Sequence, residues 1–233
     1  MKRRKISILG ATLCGAVGGA LVAKLNRGGA PAFDPFRGDG AFDSVLLKNW
    51  QFFVPCVVLW VLFSCYWEVA AKSAAPAKSS ESRTSRGIHV FLVNFALLLE
   101  LVPVRGLGRY LPASVLLMTA GLAVQAAGTF LAVWARRHLG RRWSGAIAIK
   151  VEHQLIRSGP YRLLRHPIYT GLLAMYIGPA LVTGEWLALI GAVMAVFAYW
   201  RKIRLEEATL SVAFGADYDA YRRVTWALVP GLF

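Results

Sequence analysis

Charged side chains are scarce in this chain. They make up 17% of its 233 residues, whereas a soluble domain carries about 25%. Acidic groups are scarcer still, with 12 Asp and Glu against 27 Lys and Arg. Cysteine is nearly absent too: Cys14, Cys56 and Cys65 each lie in an apolar stretch, where a small buried thiol is the ordinary reading. No CxxC or Cys/His ligand spacing occurs, so no metal is expected. The Gly-Leu-Phe ending carries no prenylation box.

Apolar residues fill the space that charge leaves. The chain is 57% hydrophobic with a mean hydropathy of +0.50, and these residues cluster at 6–23, 52–67, 88–104, 111–134, 168–182 and 186–200. Each run is nearly free of charge and about long enough to cross a bilayer as a tilted helix. The expected fold is all-α, a polytopic membrane protein with five or six transmembrane helices. With six spans and both ends inside, most Lys and Arg fall in the inner segments, and only Lys24, Arg27, Arg37, Lys48, Arg105 and Arg109 are left outside. That asymmetry orients the spans and explains the pI of about 10.3 without nucleic acid, whose binding needs a basic soluble face carrying base-reading groups.

Three regions follow. Residues 1–50 hold an apolar helix and an outer loop. The first run, after Lys2 to Lys5, resembles a signal peptide, but Gly10, Gly15, Gly18 and Gly19 suit a retained helix packed closely on a neighbour. Residues 51–135 hold transmembrane helices with an inner linker at 71–87, whose Ala, Ser, Lys and Pro cannot build a core. Within the spans, Glu100 is the clearest polar residue, and Asn94 and Gln125 share its interior or make single helix contacts.

Residues 136–233 concentrate the chemistry. The polar stretch before the fifth run cannot cross a bilayer and is too patterned for a linker, so it folds on the inner surface. It ends in GPYRLLRHPIYTG, 159–171. Pro167 suits the first turn of the next helix, with His166 at its cap. That helix start and Arg165 together predict a site for a carboxylate or phosphate. Beyond the last span, RKIRLEEATLSVAFGADYDAYRR (201–223) presents Glu206 and Glu207 as an adjacent carboxylate pair on a helix.

The paired patterns HQLIRSGPYRLLRHPIYTG and RLEEATLSVAFGADYDAYRRV, flanking two apolar spans, resemble the isoprenylcysteine carboxyl methyltransferase family, bacterial members in particular. The likeness covers about 115–233. It implies S-adenosylmethionine as methyl donor, bound in a cytosolic cofactor pocket formed by the loop before the penultimate span and the carboxy-terminal helix. Carried across, that pocket takes His153, Gln154, Leu155, Gly159, Pro160, Tyr161, Arg165, His166, Tyr169, Glu206 and Glu207. The soluble methyltransferase pattern, a Gly-rich turn in a βαβ unit, is missing.

Those residue types suit the donor. A sulfonium ion with an amino acid tail and an adenosine needs a cation, acceptors for amine and ribose, and an apolar slot. Arg165, His166, Glu206, Glu207 and Tyr161 supply them. Arg201, Arg204 or Arg222 could orient an acceptor carboxylate, Arg204 being preferred, and Arg204 and Glu207 are the candidate catalytic residues. The implied reaction is methyl transfer to a lipidic acceptor such as an isoprenylcysteine carboxylate, within an integral membrane protein of a bacterial inner membrane. Three alternatives stand beside it. N-methylation of a phospholipid head group would need a base such as His153, His138 or Glu207. The others are an NADPH-dependent membrane reductase and a non-enzymatic membrane subunit; oligomeric state is not readable. For lipid entry, Gly171, Gly178 and Gly184 beside Trp186 suggest a lateral opening between the helices that start at 168 and end at 200.

Overall fold

The computed structural model describes residues 49–72, 78–79, 81–101, 108–140, 143, 148–149 and 155–231. The expected first span at 6–23, together with His153 and Gln154, lies outside the described residues. Among the described residues six α-helices follow in order: α1 (Trp50–Ala71), α2 (Arg83–Leu101), α3 (Val115–Leu139), α4 (Pro167–Thr183), α5 (Trp186–Phe214) and α6 (Ala216–Arg223). The 3₁₀ turn Gly159–Arg162 precedes α4, and two-residue strands Lys78–Ser79 and Ala148–Ile149 pair antiparallel.

The chain is a polytopic all-α membrane protein. α1, α2, α3 and α5 are each long and apolar enough to cross a bilayer, and α4 is a shorter apolar helix. Large side chains such as Phe91, Leu116, Phe130 and Val193 are exposed on their outer faces, as lipid requires. α5 has 29 residues, about 43 Å of helix against about 30 Å of hydrocarbon. Its charged end from Arg201 onward therefore projects beyond the apolar layer, carrying Glu206 and Glu207 with it.

Hydrocarbon gives helices no hydrophobic reason to associate, so contact depends on close approach between small residues. α3 and α4 achieve it with two glycine pairs. A Cβ added at Gly128 would lie 2.5 Å from the Gly171 carbonyl oxygen, and one at Gly121 would lie 2.6 Å from the Gly178 carbonyl oxygen. This corrects the expectation of a lateral opening at these positions: Gly171 and Gly178 are buried in a helix seam, with no face toward lipid. Gly184 has a different task. It closes α4 at φ 60°, a left-handed conformation that other residues reach only at a cost, and so permits the abrupt turn into α5. α5 meets α2 through Gly191, Ala192 and Ala195, with the Ala96 carbonyl 2.6 Å from where a Gly191 Cβ would stand.

Polar side chains tie the bundle at its interior and its ends. Gln125 donates from Nε2 to the Cys56 carbonyl at 2.9 Å, linking α3 to α1. Asn94 is satisfied within its own helix, donating to the Val90 carbonyl at 2.7 Å. Glu100 is buried, and both of its carboxyl oxygens lack a partner among the described residues. At one end the Tyr110 amide donates to the Gly184 carbonyl at 2.8 Å. At the other, buried Arg136 donates to the Gly140 carbonyl at 2.8 Å and to the Ala70 carbonyl. Its guanidinium lies 4.4 Å from the Trp143 ring centroid, so one cation joins the carboxyl ends of two helices, where their dipoles are negative.

Candidate active site

The end of the bundle that carries Arg136 also carries the two patterned segments, and the route by which they meet starts in the backbone. Pro167 opens α4 and His166 caps it with φ −125° and ψ 55°. The chain after α6 then runs parallel to residues 163–166. The Arg165 amide donates to the Trp226 carbonyl at 2.8 Å, the His166 amide to Ala227 at 3.1 Å, and the Trp226 amide to Leu163 at 3.0 Å. The Thr170 hydroxyl adds a bond to the Leu228 carbonyl at 2.7 Å. The backbone just before α4 is thus paired with the carboxy-terminal tail.

Side chains complete the junction. Arg165 donates from Nε to Glu207 Oε1 at 2.8 Å, and its Nη1 reaches the carbonyls of Thr225 and, at 3.3 Å, Arg222. His166 Nε2 lies 3.3 Å from the same Glu207 oxygen, and its Nδ1 lies 3.9 Å from Glu206 Oε2. Tyr169 donates its hydroxyl to Glu206 Oε2 at 2.8 Å. The His166 and Tyr169 rings stack at 5.6 Å with 12° between planes, and Tyr169 meets Tyr199 at 5.3 Å. Arg222 Nη2 stands 4.0 Å from Glu207 Oε2. The anion held at the start of α4 is therefore the chain's own Glu207, which changes the expectation of an open carboxylate or phosphate site there.

Glu207 responds to that enclosure. Burial by itself would raise its pKa, but hydrogen bonds from His166 and Arg165, reinforced by their charge, hold the carboxyl down at about 2. Glu206 is more open, with about a third of its side chain exposed (32%), so one carboxylate is locked while its neighbour keeps a free face. Tyr221 donates to the Tyr161 carbonyl at 2.6 Å, which fastens the Gly159–Arg162 turn to α6, and burial pushes its phenol up to about 12.

The other expected residues have packing environments. Gly159 has φ 58°, and the His138 ring sits 2.7 Å from where its Cβ would stand. His138 Nε2 lies 2.9 Å from the Ser158 hydroxyl. Pro160 and Tyr161 are buried; Tyr161 stacks on His138 and turns its hydroxyl toward the Ala135 carbonyl at 3.5 Å, into the bundle. Leu155 is half-buried. Arg204 is not brought to the cluster: it is exposed, with its guanidinium 6.0 Å from the Trp200 ring.

Sequence reasoning missed Tyr218 and the docking of the 224–228 tail, and it ranked Arg222 behind Arg204. Tyr218 is 1% exposed, its hydroxyl has no hydrogen-bond partner among the described residues, and Glu207, Arg165, Glu206 and Arg222 are the charges that act on it. The signal for it was the three-residue spacing of Tyr218 and Tyr221, which places both on the buried face of a helix as polar as α6.

Comparison with known proteins follows this geometry. Residues 116–217 match the family model described as phospholipid methyltransferase. A probable protein-S-isoprenylcysteine O-methyltransferase of Oryza sativa subsp. indica is 32% identical over 94 residues, 39% of this chain and 49% of the relative. The chain thus spans about half the length of that curated relative. The protein-S-isoprenylcysteine O-methyltransferase of Saccharomyces cerevisiae aligns over more, 26% identical across 82% of this chain and 83% of the relative. Methanethiol S-methyltransferase 2 of Bradyrhizobium diazoefficiens is 40% identical over 75 residues, 31% of this chain and 27% of the relative.

Proposed function

From the premise that residues 116–217 are a phospholipid-methyltransferase-family segment in a relative of the isoprenylcysteine O-methyltransferases, we propose that this chain transfers a methyl group from S-adenosylmethionine to the carboxylate of an isoprenylcysteine-type lipid. The observation that carries the reading is the meeting of Arg165, His166 and Tyr169 with Glu206 and Glu207 across 37 to 42 positions of sequence.

The donor set fits such a cofactor. Glu206 keeps an open carboxylate face for an amine or ribose hydroxyl, Arg222 offers a half-exposed guanidinium (46%) for a carboxylate, and buried Tyr218 has a hydroxyl with no partner among the described residues. Bound there, the sulfonium would supply an activated methyl group. The acceptor oxygen forms a bond to carbon as the carbon–sulfur bond breaks, giving a methyl ester and S-adenosylhomocysteine.

An isoprenylcysteine carboxylate is ionised at neutral pH, so no base has to remove a proton. His166 is buried, with its ring nitrogens 3.3 Å from Glu207 and 3.9 Å from Glu206. The protein's task is to position the reactants and exclude water. Glu206 lies less than two turns beyond Trp200 on α5, which supports access for a lipid-borne acceptor. The reading puts this end of the bundle on the cytosolic side, consistent with the Lys and Arg gathered there.

Methylation of a phospholipid amine is the second reading, favoured by the family description of 116–217. The two separate in one experiment: incubation of the purified protein with methyl-labelled S-adenosylmethionine and a farnesylated cysteine analogue or membrane lipid. A base-labile product that releases methanol supports ester formation. A base-stable product, with a rate that climbs through neutral pH, supports the amine. Loss of transfer in His166→Ala is expected in either case, and transfer undiminished in that variant would reject the site.

A further inference from the structure

A second polar cluster lies one helical turn from the site. The Glu81 carboxylate and the Lys202 ammonium meet at 2.6 Å, with side chains only 2% and 5% exposed. Ser85 donates its hydroxyl to the other Glu81 oxygen at 3.1 Å. Arg201 closes the group, donating to the Ser85 hydroxyl at 2.8 Å. Two of these residues belong to the segment that starts α2, and two to α5.

Their position on α5 is informative. Tyr199, Lys202 and Glu206 are spaced three and four apart and share one helix face. Tyr199 packs on Tyr169 at 5.3 Å, and Tyr169 in turn donates to Glu206 at 2.8 Å. The Glu81–Lys202 pair therefore sits on the same face as the Tyr169–Glu206 bond, one turn nearer the membrane. Beyond the apolar layer α5 no longer has lipid or the Gly191 seam to hold it. A buried ion pair contributes little net stability because both charges are desolvated, but it accepts only a narrow geometry. Such a contact suits the setting of a helix's rotation and height.

Resting on the reading of the site as a methyl-donor pocket, we infer that Glu81 and Lys202 are positioning residues that hold α5 so that Glu206 meets Tyr169. Segment 81–85, which composition alone marks as a linker, is thereby part of the machinery.

The test uses the full chain in lipid nanodiscs, as wild type, Glu81→Gln, Lys202→Met and the double variant. Two readings are taken: equilibrium binding of labelled S-adenosylmethionine, and the ¹⁹F chemical shift of 3-fluorotyrosine at position 169, which reports the bond to Glu206 without any cofactor. Each single variant is expected to move the fluorine signal and to weaken donor binding about tenfold. The double variant should be no worse than the worse single, and turnover at saturating donor should stay within about twofold of wild type. An unmoved fluorine signal in both singles, or losses that add in the double variant, would overturn the inference. If Glu81→Gln does not fold, Glu81→Asp carries the comparison, since it keeps the charge but shortens the reach. A wild type that binds no S-adenosylmethionine would sink the pocket assignment, and the fluorine signal would still decide the positioning role.

Discussion

The α3–α4 seam and the polar cap beneath it solve the same problem, holding helices in register, by opposite means. In the seam Gly121, Gly128, Gly171 and Gly178 bring backbones together with almost no side chain between them. In the cap Arg165, His166, Tyr169, Glu206 and Glu207 use charge and directed hydrogen bonds. The difference follows from the solvent. Hydrocarbon offers nothing for polar groups to exchange with, so steric fit dominates there. At the water boundary polar contacts form readily, can be rearranged, and are available to a ligand.

If that division holds, the harshest change is Gly128→Leu. Its Cβ would meet the Gly171 carbonyl at 2.5 Å, and overpacking of this kind costs about 3 kcal/mol. Little monodisperse protein should elute on size exclusion in detergent, and a variant with native yield and melting would break the comparison at once. Glu207→Gln should do the reverse: far-UV circular dichroism unchanged, with binding of labelled S-adenosylmethionine weaker by about a hundredfold, because Arg165 and His166 lose the charge that orients them.

Acid gives a graded version of the same test. The Glu207 carboxyl is held down at about 2 from an ordinary value of 4.5. Its contribution to cap stability is therefore complete above about 4.5 and is lost as pH falls toward 2. The ¹⁹F shift of 5-fluorotryptophan placed at position 226, which reports tail docking, should stay constant from neutrality to about pH 4.5 and change only below it; a change well above that point would show that Glu207 is not the clamp.

Smaller effects sharpen the picture. Tyr218→Phe removes a hydroxyl that bonds to nothing among the described residues. Melting of the ligand-free protein should thus be unaltered while donor affinity falls about fivefold; equal loss of both would make Tyr218 a packing residue only. Arg204→Ala should change turnover least, by less than about twofold, because its guanidinium lies over Trp200 and away from the carboxylates.

Legibility differed between the two regions in the same way. The apolar runs at 52–67 and 186–200 each fall within one long helix, and those at 88–104 and 111–134 overlap α2 and α3 over most of their length, since hydropathy is a local property. The Pro167 helix start was equally plain. Gly171 and Gly178 were not: a glycine in a span reads alike whether it borders a neighbour or an opening, and only the partner glycines on α3 decide. Arg204 and Arg222 are likewise indistinguishable by type, and the fold of the tail brings one of them to Glu207 and leaves the other outside. The spacing of Tyr218 and Tyr221 marks a buried helix face, but that the Tyr218 hydroxyl has no partner among the described residues is a tertiary fact.

What the amino-acid order determined alone is where the described apolar helices lie along the chain, and the presence of two polar segments at their ends, because both depend on composition within a few helical turns. Which residue of those segments faces which depends on contacts across 37 to 121 positions. The clamp on Glu207, the use of Arg165 as its partner and the recruitment of Glu81 to α5 were set by the tertiary structure, since each exists only where separate helices close around a shared, water-poor space.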